Sequence, residues 1–196
     1  MVLADFKQAF LVVSSTARTA PDYPDRGYAG PSGRLDVIAR SLLASIIARG
    51  TLFIALLLGP PDPPKTLVAS SDECRLYSER MAMLEIKRAY MGKSKCIKLL
   101  KKDLEELIHE LVKGGSEIVM LREDGVDISK VREALYGRKV YVLGAHIDMP
   151  SEIDKIISRY VKYKVSIGPI SVYTSHAIIY TLWARHVVER RASKTP

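Results

Sequence analysis

Three stretches in the last third of the chain share one pattern. Ile118-Val119-Met120-Leu121 runs into Arg122-Glu123-Asp124-Gly125, Lys139-Val140-Tyr141-Val142-Leu143 runs into Gly144-Ala145-His146, and Val161 to Ile167 runs into Gly168-Pro169-Ile170-Ser171. Each is a strand-length run closed by a glycine-bearing turn. Ser151 reads as the cap of a helix between the second and third strands, and a final helix runs from about Ser175 to Arg191, with Ile178, Ile179, Leu182, Trp183 and Val187 on one side. Strands alternating with helices predict an α/β fold with a mostly parallel sheet flanked by helices.

The rhythm continues upstream. Ala9 to Val13 reads as a first strand, followed by a long loop rich in Pro, Gly, Asp and Arg; an unstructured connection of that length is usually functional or mobile. Ser32 caps a predicted helix whose apolar residues Leu35, Ile38, Leu42, Leu43, Ile46 and Ile47 recur at three and four, and Gly50 stops it. Leu52 to Leu58 reads as a buried strand ended by Gly59-Pro60-Pro61-Asp62-Pro63-Pro64, and Lys65 to Ser70 as a further edge strand. Ser78 starts a predicted helix to about Tyr90. Asp103 with Glu106 forms a capping box for another, carrying Leu104, Leu107, Ile108, Leu111 and Val112 before Gly114-Gly115. Residues 1–196 are read as one domain, long enough to bury a core without metals or disulfides.

Composition narrows the function. A charge of +8 with 47% hydrophobic and 27% charged residues describes a globular chain. The surplus fits a nucleic-acid partner and fits plain solubility equally well. Cys74 and Cys96 form no C-x-x-C pair and do not read as a secreted disulfide framework, so a reducing cytoplasm is the expectation. The first residues do not read as a signal peptide, and Arg49-Gly50 breaks the most hydrophobic window, Leu42 to Gly59, into pieces too short to span a bilayer. His109, His146, His176 and His186 lack zinc-site spacing, so no metal is expected. G-x-G-x-x-G, G-x-x-x-x-G-K-[ST] and G-x-S-x-G are all absent, which argues against an ordinary dinucleotide fold, a P-loop hydrolase and an α/β-hydrolase.

Three constellations remain. In an open α/β sheet, ligands sit beyond the carboxyl ends of the strands, where glycine lets the backbone approach closely; the three turns fit one small planar ligand, or turn geometry alone. Arg80 to Lys102 holds eight bases (Arg80, Lys87, Arg88, Lys93, Lys95, Lys98, Lys101 and Lys102) against Glu85, net +7, which reads as a phosphate-binding footprint or a solvated helix face. Tyr77 and Tyr90 fit base stacking, or half-burial against a core. Arg34 and Asp36 open a helix, where a carboxylate suits the dipole; equally, the Asp suits accepting a proton from a heterocyclic N–H and the Arg gripping a phosphate or base oxygen. His176 opens the final helix and reads as a cap or packing residue.

Taken in order, Ala9-Phe10-Leu11-Val12-Val13, Ser32-Gly33-Arg34-Leu35-Asp36-Val37, Pro64-Lys65-Thr66, Leu121 to Gly125, Val142 to His146, and Ser166-Ile167-Gly168-Pro169 with His176-Ala177-Ile178 resemble the archaeal tRNA pseudouridine(54) N1-methyltransferases, the TrmY family of the SPOUT superfamily. The similarity spans Ala9 to Val188. It implies a SPOUT methyltransferase domain whose C-terminal part ties a deep trefoil knot, an exception to the rule that chains are unknotted. It implies S-adenosyl-L-methionine as cofactor, held by Leu121, Gly144, Ile167, Gly168, Pro169, Ile170, Ser171, Val172 and Ala177. Further implications are a homodimer with its active site at the subunit interface, tRNA as partner, and methylation of N1 of pseudouridine at position 54. The matching Gly-Arg-Leu-Asp segment makes Asp36 the candidate base or orienter and Arg34 the grip on a flipped nucleotide or its phosphate. Arg88, Lys93, Lys95 and Lys98 are the candidate RNA contacts.

The chain departs from that pattern at Arg122, where a histidine is usual, at Ala145 to Pro150, where Asp-His-x-Gly-Phe is usual, and at Ala177, where cysteine is frequent. The alternatives are therefore a ribosomal-RNA pseudouridine N1-methyltransferase of the same superfamily and a non-catalytic RNA-binding paralogue.

Overall fold

The computed structural model describes residues 3, 5–100 and 102–192; Lys101 of the basic stretch lies outside them. Its elements, in order, are β1 (Gln8–Ser14), α1 (Leu35–Ser45), β2 (Thr51–Leu57), β3 (Lys65–Ser70), α2 (Glu79–Tyr90), β4 (Ile97–Leu100), α3 (Leu104–Lys113), β5 (Glu117–Asp127), β6 (Lys139–Gly144), α4 (Ser151–Ser158), β7 (Val161–Ser166) and α5 (Thr174–Ala192). Two short 3₁₀ turns, Ile128–Lys130 and Arg132–Leu135, link β5 to β6.

The strands form one sheet in the order β4-β3-β2-β1-β6-β5-β7. β2, β1, β6, β5 and β7 run parallel, while β3 and β4 are antiparallel additions. Every residue of β1 is buried, as expected of a central strand covered on both faces. Alternation along the strands divides the core. Phe10, Val12 and Phe53 pack with α1, α2 and α5 on one face, and Leu11, Val13 and Ile54 with α3 and α4 on the other. Because the five central strands are parallel, the chain leaving β1, β5, β6 and β7 emerges at one edge of the molecule, which positions the site.

The structure corrects several sequence expectations. β3 is not an edge strand, because β4, only four residues long, pairs outside it. Arg122 to Gly125 is not a simple loop but a bulge inside β5: Leu121 and Val126 both oppose Val165 of β7. A Cβ at Gly125 would collide with the Val165 backbone, so only glycine fits there. Ser151 is the first residue of α4 and does not cap it. On α5 the buried side is Ala177, Ile178, Thr181, Ala184 and Arg185, while Ile179 and Trp183 face outward. Finally, Cys74 and Cys96 are joined in a disulfide that ties the segment after β3 to the start of β4.

Candidate functional site

A cleft of about 560 Å³ opens between the bulge of β5 and the chain leaving β6 and β7. Its size falls in the range of small-molecule sites. Of the nine sequence-predicted cofactor residues, Leu121, Gly144, Ile167, Gly168, Ile170, Ser171, Val172 and Ala177 line it, and Pro169 does not. Leu143, Met149 and Thr174 complete its less polar wall, and Arg122, Glu123, Asp124 and Asp148 bring charge to it. Arg122, the residue standing where the resembled family has histidine, is anchored by Asp154 of α4 at 3.3 Å.

The loops are held by hydrogen bonds that the sequence does not advertise. Thr174 Oγ1, in the first turn of α5, donates to the carbonyls of Gly144 (3.0 Å) and Ala145 (2.7 Å), fastening the β6 loop to α5. Ala145 N–H donates to Val13 O at 2.9 Å, so the same loop is tied to β1. Ser166 Oγ donates to Gly168 O and accepts from Gly168 N–H, closing the turn after β7. No protein atom lies within 4 Å of where a Cβ on Gly168 would stand, so the turn leaves open space at the cleft. His176 is exposed and meets Tyr173 edge to face, as a packing residue would.

The loop after β1 brings in the second constellation. Gly33 has φ +62°, and a Cβ there would collide with the Thr16 carbonyl, so two distant parts of this loop touch backbone to backbone. Ser32 Oγ accepts from Leu35 N–H at 3.1 Å, while Arg34 occupies the cap position itself. Arg34 is, among the described residues, the one non-glycine at positive φ, 70°, a conformation costing roughly 1–2 kcal/mol for an L-residue. Such an outlier points to a functional constraint.

Asp36 supplies the compensating contacts. Arg34 donates to both its oxygens, Nε–Oδ1 at 2.9 Å and Nη2–Oδ2 at 3.0 Å, and Arg40 adds a third bond at 2.6 Å. Burial pushes the Asp36 carboxyl up, but the Arg34 hydrogen bonds and the charges of both arginines outweigh it and hold it below its ordinary value of 3.8. A carboxylate so engaged is a strong orienting group and a weak proton acceptor.

Between the two constellations stands His146. It lines the cleft, and its Nε2 lies 3.4 Å from Thr16 Oγ1, which in turn donates to Gly33 O at 2.8 Å. Burial and then the charge of Arg34 hold the imidazole below its ordinary 6.5, partly opposed by Asp36. Through His146 and Thr16 the cleft therefore adjoins the segment that carries the Arg34–Asp36 pair.

The basic stretch lies elsewhere, on α2 and β4 at the far edge of the sheet. Its acid, Glu85, is buried and accepts from Ser94 Oγ (2.7 Å), Lys95 N–H (2.9 Å) and Arg88 (3.2 Å), shaping the loop that carries Lys93 and Lys95. Lys98 pairs with Glu73 and Lys87 with Asp25. Among the described residues Lys93 and Lys95 have no ion-pair partner and are exposed. Tyr77 is 81% exposed, whereas Tyr90 is partly buried against the core and donates its hydroxyl to Arg18 O, so of the two Tyr77 is the one free to stack.

Among the described residues no three His, Cys, Asp or Glu side chains group as a metal site, and no helix is long and apolar enough to cross a membrane. Residues 7–190 match the family profile described as "Putative SAM-dependent RNA methyltransferase". The tRNA (pseudouridine(54)-N(1))-methyltransferase of Aeropyrum pernix is 38% identical over 175 residues, covering 87% of this chain and 90% of its own length. That of Pyrococcus abyssi is 31% identical, covering 88% and 94%. Among solved structures, Archaeoglobus fulgidus Nep1 bound to S-adenosylhomocysteine superposes with a TM-score of 0.67 at 16% identity, over 94% of this chain and all of that one. The SpoU methyltransferase AviRb from Streptomyces viridochromogenes gives 0.52 at 12% identity, over 97% of this chain and 63% of that one.

Proposed function

The chain belongs to the family of the archaeal tRNA (pseudouridine(54)-N(1))-methyltransferases, and on that premise we propose that it methylates N1 of pseudouridine 54 in the tRNA T-loop, using S-adenosyl-L-methionine. The observation that carries the reading is that the cleft adjoins, through His146 and Thr16, the segment that carries the Arg34–Asp36 pair. One part suits a small ligand held by backbone and apolar contacts, and the other presents a fixed cation beside it.

The residues present suit the cofactor. The glycine turns and the walls of Leu121, Leu143, Ile167 and Ala177 fit a purine and ribose, and Glu123, Asp124 and Asp148 offer acceptors for hydroxyl or ammonium hydrogens. When bound, S-adenosylmethionine supplies an electrophilic methyl on a positively charged sulfur. The chain's contribution is alignment of the attacking nitrogen and management of its proton, both of which depend on fixed geometry. Asp36 acts as orienter: it fixes the Arg34 guanidinium, which grips the flipped nucleotide or its phosphate.

The same reading makes residues 1–196 one SPOUT domain with the trefoil knot of that superfamily, working in the cytoplasm as a homodimer. An exposed apolar strip supports the dimer: Ile170, Val172, Tyr173, Ile179 and Tyr180, with Trp183 58% exposed, beside the cleft. A single protomer sedimenting at all working concentrations would remove that part.

The test incubates the protein with methyl-labelled cofactor and tRNA carrying either uridine or pseudouridine at position 54. Label is expected only in the pseudouridine tRNA. Equal labelling of both, label confined to ribosomal RNA, or RNA binding without any cofactor binding would each overturn the reading in a different way.

A further inference from the structure

His146 stands between the cleft and the Arg34–Asp36 pair, and its hydrogen bond to Thr16 bears on which ring nitrogen can take a proton. Thr16 Oγ1 has one hydrogen, and it is spent on the Gly33 carbonyl, which can only accept. Toward His146 the hydroxyl therefore offers only a lone pair. Nε2, 3.4 Å away, is then the nitrogen that carries the ring hydrogen, and Nδ1 keeps its lone pair. Among the described residues no hydrogen bond occupies Nδ1.

The surroundings agree. Arg34 and Asp36 face the imidazole from the loop after β1 and α1, and Arg122, Glu123, Asp124 and Asp148 stand on the walls of the same cleft. Burial and Arg34 together keep the ring neutral at pH 7, the form able to accept a proton. Asp36, the other nearby base, has three guanidinium hydrogen bonds on its two oxygens.

We propose that His146 Nδ1 is the acceptor of the N1 proton of the target pseudouridine, and that Thr16 is the positioning residue that sets its tautomer. The inference rests on the methyl-transfer reading above. As the N1–H bond breaks, its proton passes to Nδ1 and its electron pair forms the bond from N1 to the methyl carbon. The carbon–sulfur bond of the methyl donor breaks with its pair going to sulfur, cancelling the positive charge, and the imidazolium later releases its proton to water.

The experiment compares wild type, His146→Gln and Thr16→Val. Side-chain ¹⁵N spectroscopy of the wild type is expected to show the Nε2–H tautomer and a titration midpoint below 6.5, and Thr16→Val to mix the tautomers. His146→Gln is expected to bind S-adenosylhomocysteine and tRNA within about threefold of wild type, yet to lose about 10²-fold or more in methyl transfer. Since the neutral ring is the active form, the wild-type rate falls as pH drops through the histidine's midpoint, and the variant lacks that limb. An Nδ1–H tautomer in the wild type overturns the proposal whether or not the variants fold. So does an active wild type with an equally active His146→Gln of unchanged pH profile, which leaves the methyl-transfer reading intact. A wild type inert on pseudouridine tRNA removes that reading, and the role of His146 with it.

Discussion

The two flanks of the sheet are built on opposite terms. On the β6-β5-β7 flank, parallel strands lead into turns whose carbonyls are tied down by the hydroxyls of Ser166 and Thr174, and the cleft they form is shaped by glycine and small apolar side chains. On the β3-β4 flank the added strands are antiparallel and short, and lysines stand exposed on a loop held from beneath by Glu85. The first arrangement selects by shape and the second by charge density. A methyl donor needs the former and a polyanion the latter. The difference is testable because a change on one flank should leave the other's ligand alone.

The largest effect is expected from the disulfide. Closing a loop of about 22 residues contributes about 3 kcal/mol in the chain-entropy account. Replacing Cys74 and Cys96 together by serine should lower the unfolding free energy by about that amount, read by chemical denaturation. S-adenosylhomocysteine affinity should stay within twofold, and a larger loss would show that the two flanks are mechanically coupled.

Asp36→Asn comes next. It removes the charge that holds Arg34 in its strained conformation, and we expect methyl transfer to fall by about 10²-fold while cofactor affinity barely moves. There is also a pH signature. The Asp36 carboxyl lies below its ordinary value of 3.8, so its stabilisation is complete above that value and is lost as pH falls through its lowered one. The acid limb assigned to His146 lies below 6.5, and that of Asp36 lies below 3.8. Wild type should therefore be more stable than Asp36→Asn above about pH 4, and the difference should shrink as the pH falls below it.

What could be read from the chain divides along the same line. The apolar strands with their glycine turns were legible in the residues themselves, because parallel strands automatically bring their carboxyl ends together. The nine cofactor positions came from the family resemblance instead, and eight of them line the cleft at those turns. The contacts that join the cleft to Arg34 were not legible: Thr16 and His146 are 130 positions apart, and the φ of Arg34 leaves no mark on composition. β4 escaped notice because Ile97-Lys98-Leu99-Leu100 is too short to show a period. On α5 an apolar residue on the outside looks the same as one on the inside, so Trp183 was grouped with Ile178 although only Ile178 is buried. The disulfide was discounted on spacing, whereas β3 and β4 bring its Cα atoms to 5.1 Å.

Thr174→Val tests the cleft flank alone. The valine keeps the volume but gives up the bonds to the Gly144 and Ala145 carbonyls, at a cost of about 1–2 kcal/mol. If that network shapes the cleft, S-adenosylhomocysteine affinity drops about tenfold with tRNA affinity unchanged. Unaltered cofactor binding would mean that the β6 loop is held sufficiently by Ala145 N–H on Val13.

The smallest effect tests the basic flank. Lys93 and Lys95 are exposed and unpaired among the described residues, while Arg88 and Lys98 have acidic neighbours that compete with a phosphate. Charge removal should therefore be unequal within the four. Lys93→Gln with Lys95→Gln should weaken tRNA binding severalfold at moderate salt and reduce the slope of log affinity against log salt by about two. Arg88→Gln with Lys98→Gln should change the slope by less, since Glu85 and Glu73 already neutralise part of that charge. Equal slopes for the two pairs would mean that RNA displaces these surface ion pairs at no net cost. An unchanged slope in both would move the RNA contact off this flank and onto the arginines around the cleft.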